Sequence, residues 1–170
     1  LDRLKDRLQA EKAFLQLNFP YFIYKTAPVS GQRAPLDIDC VYTAEKDEQF
    51  SLRISAEIPI QTLCPCSKEI SAYGAHNQRS AEMVWLEELA AIADAGASAP
   101  VYGLLKRPDE KFVTEQAYDN PRFVEDAVRE IALRLEADKR IIWYKATVES
   151  IESIHNHNAF ACVEKGWKDV

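Results

Sequence analysis

From Ser51 to Gln61 the chain alternates so regularly that it can hardly be anything but a strand with one wet face. Leu52, Ile54, Ala56, Ile58 and Ile60 fall on one side, while Ser51, Arg53, Ser55, Glu57 and Gln61 fall on the other. Successive side chains of a strand point to opposite faces. One face is therefore buried and one solvated, as in an antiparallel sheet.

Other segments fit around that strand. Leu1, Leu4, Leu8 and Leu15, with charges between them, predict an amphipathic helix. Phe19 to Lys25 and Leu36 to Thr43 read as strands, separated by a turn at Ala27-Pro28-Val29-Ser30-Gly31; Glu45 to Glu48 reads as a polar turn. Cys64 to Ser80 is polar and has no clear period. Met83 to Ala95 and Pro108 to Ala117 predict helices, with a short extended piece from Ser98 to Leu105 between them. Asn120-Pro121 reads as a helix start, with Asn as cap and Pro in the first turn. The stripe Phe123, Val124, Ala127, Val128, Ile131 and Leu135 follows, and Lys139-Arg140 closes it. Ile141 to Ile154 and Ala159 to Val163 predict two last strands. Segregated strands and helices with short connections indicate an α+β fold.

At 170 residues the chain is one ordinary domain or two small ones, and 47% apolar residues suffice for a core. A net charge of −6 argues against a nucleic-acid or anionic-membrane surface. It leaves room for an anionic small substrate held by a few placed cations. No apolar run approaches the roughly 18–20 residues that cross a bilayer. The first residues lack the apolar centre of a secretion signal. A cytoplasmic protein is expected.

The four cysteines do not suggest a disulfide framework. Cys40 and Cys162 lie in apolar strand-like runs and are expected to be buried thiols. Cys64-Pro65-Cys66 is different. A Cys-x-Cys disulfide is geometrically awkward, whereas a thiolate is a good ligand for a borderline-soft ion such as zinc. A catalytic site uses about three protein ligands and keeps one position open. Cys64 and His76, twelve residues apart, could supply two of them. The competing reading is a pair of buried thiols at a strand end. Spacing does not choose a third ligand among Asp109, Glu110 and Glu115, each of which by position reads better as a solvated helix carboxylate. Glu125 sits at the border of an apolar stripe, where it could be half-buried and accept hydrogen bonds from a planar base. By period alone it is a solvated helix glutamate.

His76, His155 and His157 are the only histidines, and all fall in segments that look least like core. On a strand His155 and His157 would share a face. Two imidazoles on one side can move protons near neutral pH; taken singly, each reads better as a surface histidine bonded to Asn neighbours. Lys25, Arg33, Lys68 and Arg79 are candidate phosphate ligands, the first two reading better as surface charges. No glycine-rich phosphate loop is present, so a nucleotide would be held by side chains.

Four separated segments resemble the type IB GTP cyclohydrolases, in the family's order. They are Ala27-Pro28-Val29-Ser30-Gly31, Leu63-Cys64-Pro65-Cys66-Ser67-Lys68-Glu69-Ile70-Ser71, Tyr73-Gly74-Ala75-His76-Asn77-Gln78-Arg79-Ser80 and Glu152-Ser153-Ile154-His155-Asn156-His157-Asn158-Ala159. The resemblance runs through almost the whole chain. It implies the tunnelling fold, an antiparallel sheet with two layered helices. It further implies tandem modules assembling into an oligomeric barrel, a homotetramer with active sites at subunit interfaces. Residues 1–50 would be the remainder of an N-terminal module, and residues 51–170 a C-terminal module carrying the Cys/His site.

The implied reaction converts GTP and water to formate and 7,8-dihydroneopterin triphosphate, the first step of tetrahydrofolate synthesis, with a divalent zinc or manganese ion. By motif, Cys64, His76 and Glu110 look like its metal ligands. Glu125 resembles the glutamate that grips the amide edge of a purine or pterin, and His155 and His157 match the family's paired acid/base histidines. Lys68 and Arg79 are candidates for the triphosphate by charge and position. Family members have strands before the Leu1 helix and continue from Ser80 into a strand, so residues are expected to be missing at both places. Two rivals stand beside this reading. One is a nitrile reductase of the same superfamily with a cysteine nucleophile; the other is a non-catalytic, metal-stabilised or redox-sensing oligomer.

Overall fold

The computed structural model describes residues 1–70, 77–80, 86–153 and 155–166, with Cys66, Ser67, Ile70 and 77–80 described in backbone only. The chain is α+β. It runs α1 (Asp2–Leu8), β1 (Ala13–Thr26), β2 (Arg33–Lys46), β3 (Phe50–Glu57), β4 (Ile60–Leu63), α2 (Pro65–Ile70), β5 (Asn77–Ser80), α3 (Leu86–Gly96), β6 (Ala99–Pro100), α4 (Arg107–Asp119), α5 (Val124–Ala137), β7 (Tyr144–Ser150) and β8 (Ala159–Lys165). All strand pairs are antiparallel. They form the sheets β1-β2-β3, β5-β4-β6 and β7-β8.

One core joins these sheets. Ile23, Ile38, Cys40 and Ile54 from the first sheet pack in the same cluster as Leu89 of α3, Ile131 of α5 and Val148 of β7. Helix α5 supplies Val124, Ala127, Val128, Ile131, Ala132 and Leu135 to it, the stripe expected from its period except that Phe123, as N-cap, stays exposed and Ala132 joins. A smaller cluster of Leu63, Ala99, Val113 and Ala117 lies under α4, beside the segment that carries Cys64.

Several local expectations are corrected. Helix α1 stops at Leu8, where Gln9 turns left-handed at φ 48°, so Leu15 belongs to β1. The alternating run is two strands, because β3 ends at Glu57 and β4 begins at Ile60 across Pro59, which has no N–H for a ladder. Glu45 and Lys46 extend β2 rather than turning. The polar stretch after Cys64 contains α2 and β5, and of the extended piece after Ser98 only Ala99–Pro100 pairs as a strand. Asn120 ends α4 instead of starting α5, whose N-cap is Phe123. The strand expected over Ile141 to Ile154 is confined to Tyr144–Ser150, leaving His155 and His157 in the following loop. Cys40 is buried as expected, but Cys162 is exposed.

Candidate active site

Cys64 stands where β4 ends and α2 begins. Its carbonyl accepts the N–H of Lys68 at 3.1 Å, the first bond of the helix, and Pro65 follows at a position that needs no N–H donor. Cys64 carries a thiol, not a disulfide, and is partly exposed. The residue before it is tightly held. The Leu63 N–H donates to the buried Ser98 Oγ at 3.1 Å, and its carbonyl accepts the Arg122 N–H at 3.1 Å. The Ser98 N–H in turn donates to the Gln61 carbonyl at 2.9 Å.

Asn120 braces the same corner from the end of α4. Its Nδ2 donates to the carbonyls of Ala97 and Ser98 at 3.1 and 3.2 Å, while its Oδ1 accepts Arg122 Nε at 3.4 Å. The Arg122–Leu63 bond therefore brings the start of α5 against the Cys64 segment. Glu125 is three residues further on, in the first turn of α5, where a carboxylate is stabilised by the helix dipole. It is exposed rather than half-buried. Its neighbour Asp126 pairs with Arg129 at 3.0 Å. An open groove of about 330 Å³ borders this corner, lined in part by Asn120, Arg122, Asp126 and Arg129.

The two acidic neighbours on α4 separate cleanly. Asp109 is wholly buried. Its carboxylate accepts the N–H groups of Val29 and Ser30 at 2.7 and 2.6 Å and that of Lys106 at 2.9 Å. Burial works to raise its pKa, but these bonds together with the Ser30 hydroxyl prevail and hold it at about 2. Asp109 thus fastens the β1–β2 turn, the Ala27–Gly31 segment, to the start of α4. Glu110 next to it is exposed on the first turn.

The cations also sort themselves. Lys25 is not a surface charge: its Nζ meets Asp94 Oδ1 at 2.7 Å with only 10% of its side chain exposed, and it lies 5.9 Å from the Tyr102 ring. Arg33 covers the Tyr24 ring at 4.6 Å. Lys68 Nζ donates to the Tyr118 carbonyl and sits 4.2 Å over the Tyr118 ring, tying α2 to the end of α4. The Arg79 side chain and all of His76 lie outside the described residues. His155 and His157 are exposed and stacked, with ring centroids 5.2 Å apart and planes at 23°. They share a side through a loop and not through a strand. Asn158 Nδ2 donates to Glu149 Oε1 at 2.8 Å and ties the end of that loop to β7.

Among the described residues no three His, Cys, Asp or Glu side chains gather as a metal cluster. The donor chemistry at Cys64 nevertheless suits a borderline-soft ion: it is a partly exposed thiol, and it follows a residue, Leu63, whose N–H and C=O are both fixed. Ser98 and Arg122 carry no signal in the sequence, and Asn120 reads there only as a helix cap. Single polar residues on three separate segments form no pattern until the fold brings them together.

The family model described as Type I GTP cyclohydrolase folE2 matches residues 1–161, and the chain belongs to that family. Individual relatives are close. The GTP cyclohydrolase FolE2 of Thermotoga sp. (strain RQ2) is 58% identical over 174 residues, covering 98% of this chain and 67% of the relative. The GTP cyclohydrolase FolE2 proteins of Caldicellulosiruptor bescii and Dictyoglomus thermophilum are 57% and 53% identical, covering 96% and 98% of this chain and 67% and 68% of the relatives. No helix among the described residues is long and apolar enough to cross a membrane.

Proposed function

We propose that this chain performs the reaction its relatives are named for, converting GTP and water to formate and 7,8-dihydroneopterin triphosphate at the head of folate synthesis. The observation that carries this reading is the match to GTP cyclohydrolases along residues 1–161, at 53–58% identity to individual relatives.

Cys64, His76 and Glu110 are the residues that would hold a divalent ion, zinc or manganese. Such an ion lowers the pKa of water and supplies a Lewis acid for attack at guanine C8. Glu125, exposed at the start of α5, offers acceptor oxygens to the N–H groups on the amide edge of guanine and so orients the base. His155 and His157 donate and accept the protons needed as the imidazole ring opens and the pterin ring closes. Arg79 and Lys68 would serve the triphosphate, Lys68 by exchanging the Tyr118 carbonyl for phosphate oxygens.

A homotetramer with shared active sites accords with the exposed apolar residues of the first sheet. Among the described residues β1 is an edge strand, and both faces of the sheet show half-exposed apolar side chains: Phe14, Phe22 and Tyr24 of β1 on one, Leu17 of β1 with Phe50 and Leu52 of β3 on the other. Clusters of exposed apolar side chains of this kind favour association.

The test is incubation of the purified protein with GTP and Mn²⁺ or Zn²⁺, oxidation of the product and measurement of neopterin fluorescence, with Cys64→Ala in parallel. Fluorescence that requires both the metal and Cys64 is the expected result. Absence of product from metal-loaded, oligomeric protein would overturn the reading.

A further inference from the structure

We propose that Ser98 and Asn120 are positioning residues that aim the Cys64 thiol for metal binding by fixing the Leu63 peptide. The proposal rests on the reading of Cys64 as a ligand. In an antiparallel strand the N–H and C=O of one residue point to the same side. At Leu63 that side faces the segment preceding β6. Backbone pairing between β4 and β6 covers only Ile60–Pro100 and Gln61–Ala99. Past it the Ser98 N–H reaches Gln61 O, and the Ser98 hydroxyl then takes the Leu63 N–H, replacing the ladder by a side chain.

That substitution works only if residues 97 and 98 are held away from a continued ladder. Asn120 does this by donating to both of their carbonyls. Its Oδ1 also accepts Arg122 Nε, steadying the residue whose N–H closes on Leu63 O. The peptide that supplies the Cys64 nitrogen is thereby held on its carbonyl side by Arg122, and the preceding peptide by Ser98. With Ser98 1% exposed, water cannot readily replace its hydroxyl. The sulfur is therefore presented from a strand end with little backbone freedom, as supporting groups present metal ligands elsewhere.

The experiment is titration of the metal-depleted full chain with Co²⁺, following the thiolate-to-cobalt charge-transfer band, for wild type, Cys64→Ala, Ser98→Ala, Ser98→Thr and Asn120→Ala, with thermal melting of each. Cys64→Ala should abolish the band. Ser98→Ala and Asn120→Ala should weaken Co²⁺ binding about 10- to 100-fold, while Ser98→Thr, which keeps the hydroxyl, should restore it. A merely structural role would lower the melting temperature and leave Co²⁺ affinity unchanged, which would overturn the proposal. Asn120 is only partly buried, so its variant reports even if Ser98→Ala does not fold. A wild-type band in Cys64→Ala would overturn both this proposal and the reading of Cys64 as a ligand; loss of the band there with full affinity in Ser98→Ala and Asn120→Ala would overturn the proposal alone.

Discussion

The Asp109 carboxylate accepts the amide N–H of Ser30 at 2.6 Å across a separation of 79 residues. The turn between β1 and β2 is thus built onto the start of α4, and one ionised side chain makes the joint. The charge state of that side chain sets when the joint holds.

With its pKa held at about 2, against 3.8 for an unperturbed Asp, Asp109 contributes stability that is fully present above the unfolded value and is lost as pH falls through about 2. Asp109→Asn removes the charge and turns an N–H₂ toward donors, so it should melt several degrees below wild type at pH 7. The gap should narrow steadily between about pH 4 and pH 2. Paired thermal melts across that range check this; a gap independent of pH would mean that the carboxylate is not ionised in the folded protein.

Lys25 and Asp94 meet at 2.7 Å with side chains only 10% and 21% exposed. Burial raises the Asp94 pKa more than Lys25 lowers it, so the folded state holds that proton more tightly than the unfolded chain does. Lys25→Met should therefore cost about 3–5 kcal/mol at neutral pH by stranding the charge. The loss should shrink as pH falls and Asp94 takes up its proton. Lys25→Met combined with Asp94→Leu should recover most of the stability. Urea unfolding of the four members of the cycle measures the coupling, and additive single losses would contradict it.

Ser150 at the end of β7 is wholly buried, and its Oγ has no hydrogen-bond partner among the described residues. Burying a hydroxyl unpaired is unfavourable. Ser150→Ala should be neutral or stabilise by up to about 1 kcal/mol. A clear loss of stability on denaturant unfolding would show that the hydroxyl is hydrogen-bonded in the folded protein.

Much of this architecture was legible in the residues because periodicity reports burial directly. The α5 stripe from Val124 to Leu135 and the alternation through Ile54 and Ala56 both end in the core. Boundaries were less legible, because they depend on single groups whose partners are remote. Asn120 has the chemistry of an N-cap, yet its amide serves Ala97 and Ser98, so α5 starts at Val124. Leu15 keeps the helical spacing of Leu4 and Leu8, but a left-handed Gln9 has already ended the helix. Cys162 lies in an apolar run, yet β8 alternates and places it on the open face. At the candidate site, Cys64 and Glu125 were visible as residue types in motifs. The joint between their segments was not, because it is a backbone bond from Arg122 to Leu63.

Glycines give a last contrast between conformation and space. Gly31, in the turn that Asp109 fastens, has φ +68°, and a Cβ there would meet nothing within 4 Å. Only the left-handed backbone favours glycine at that position, so Gly31→Ala should cost about 1–2 kcal/mol and Gly31→Asn less. At Gly103 the reason is space, since a Cβ would fall 2.0 Å from the carbonyl oxygen of Pro35 in β2. Backbone cannot yield as a side-chain tip does, so Gly103→Ala must push the 101–106 segment off the sheet. It should cost more than Gly31→Ala, about 3 kcal/mol or above. Unfolding in denaturant ranks the two. Equal losses would show that the 101–106 segment lifts from β2 without strain, and that the close approach of Gly103 to Pro35 contributes little to the fold.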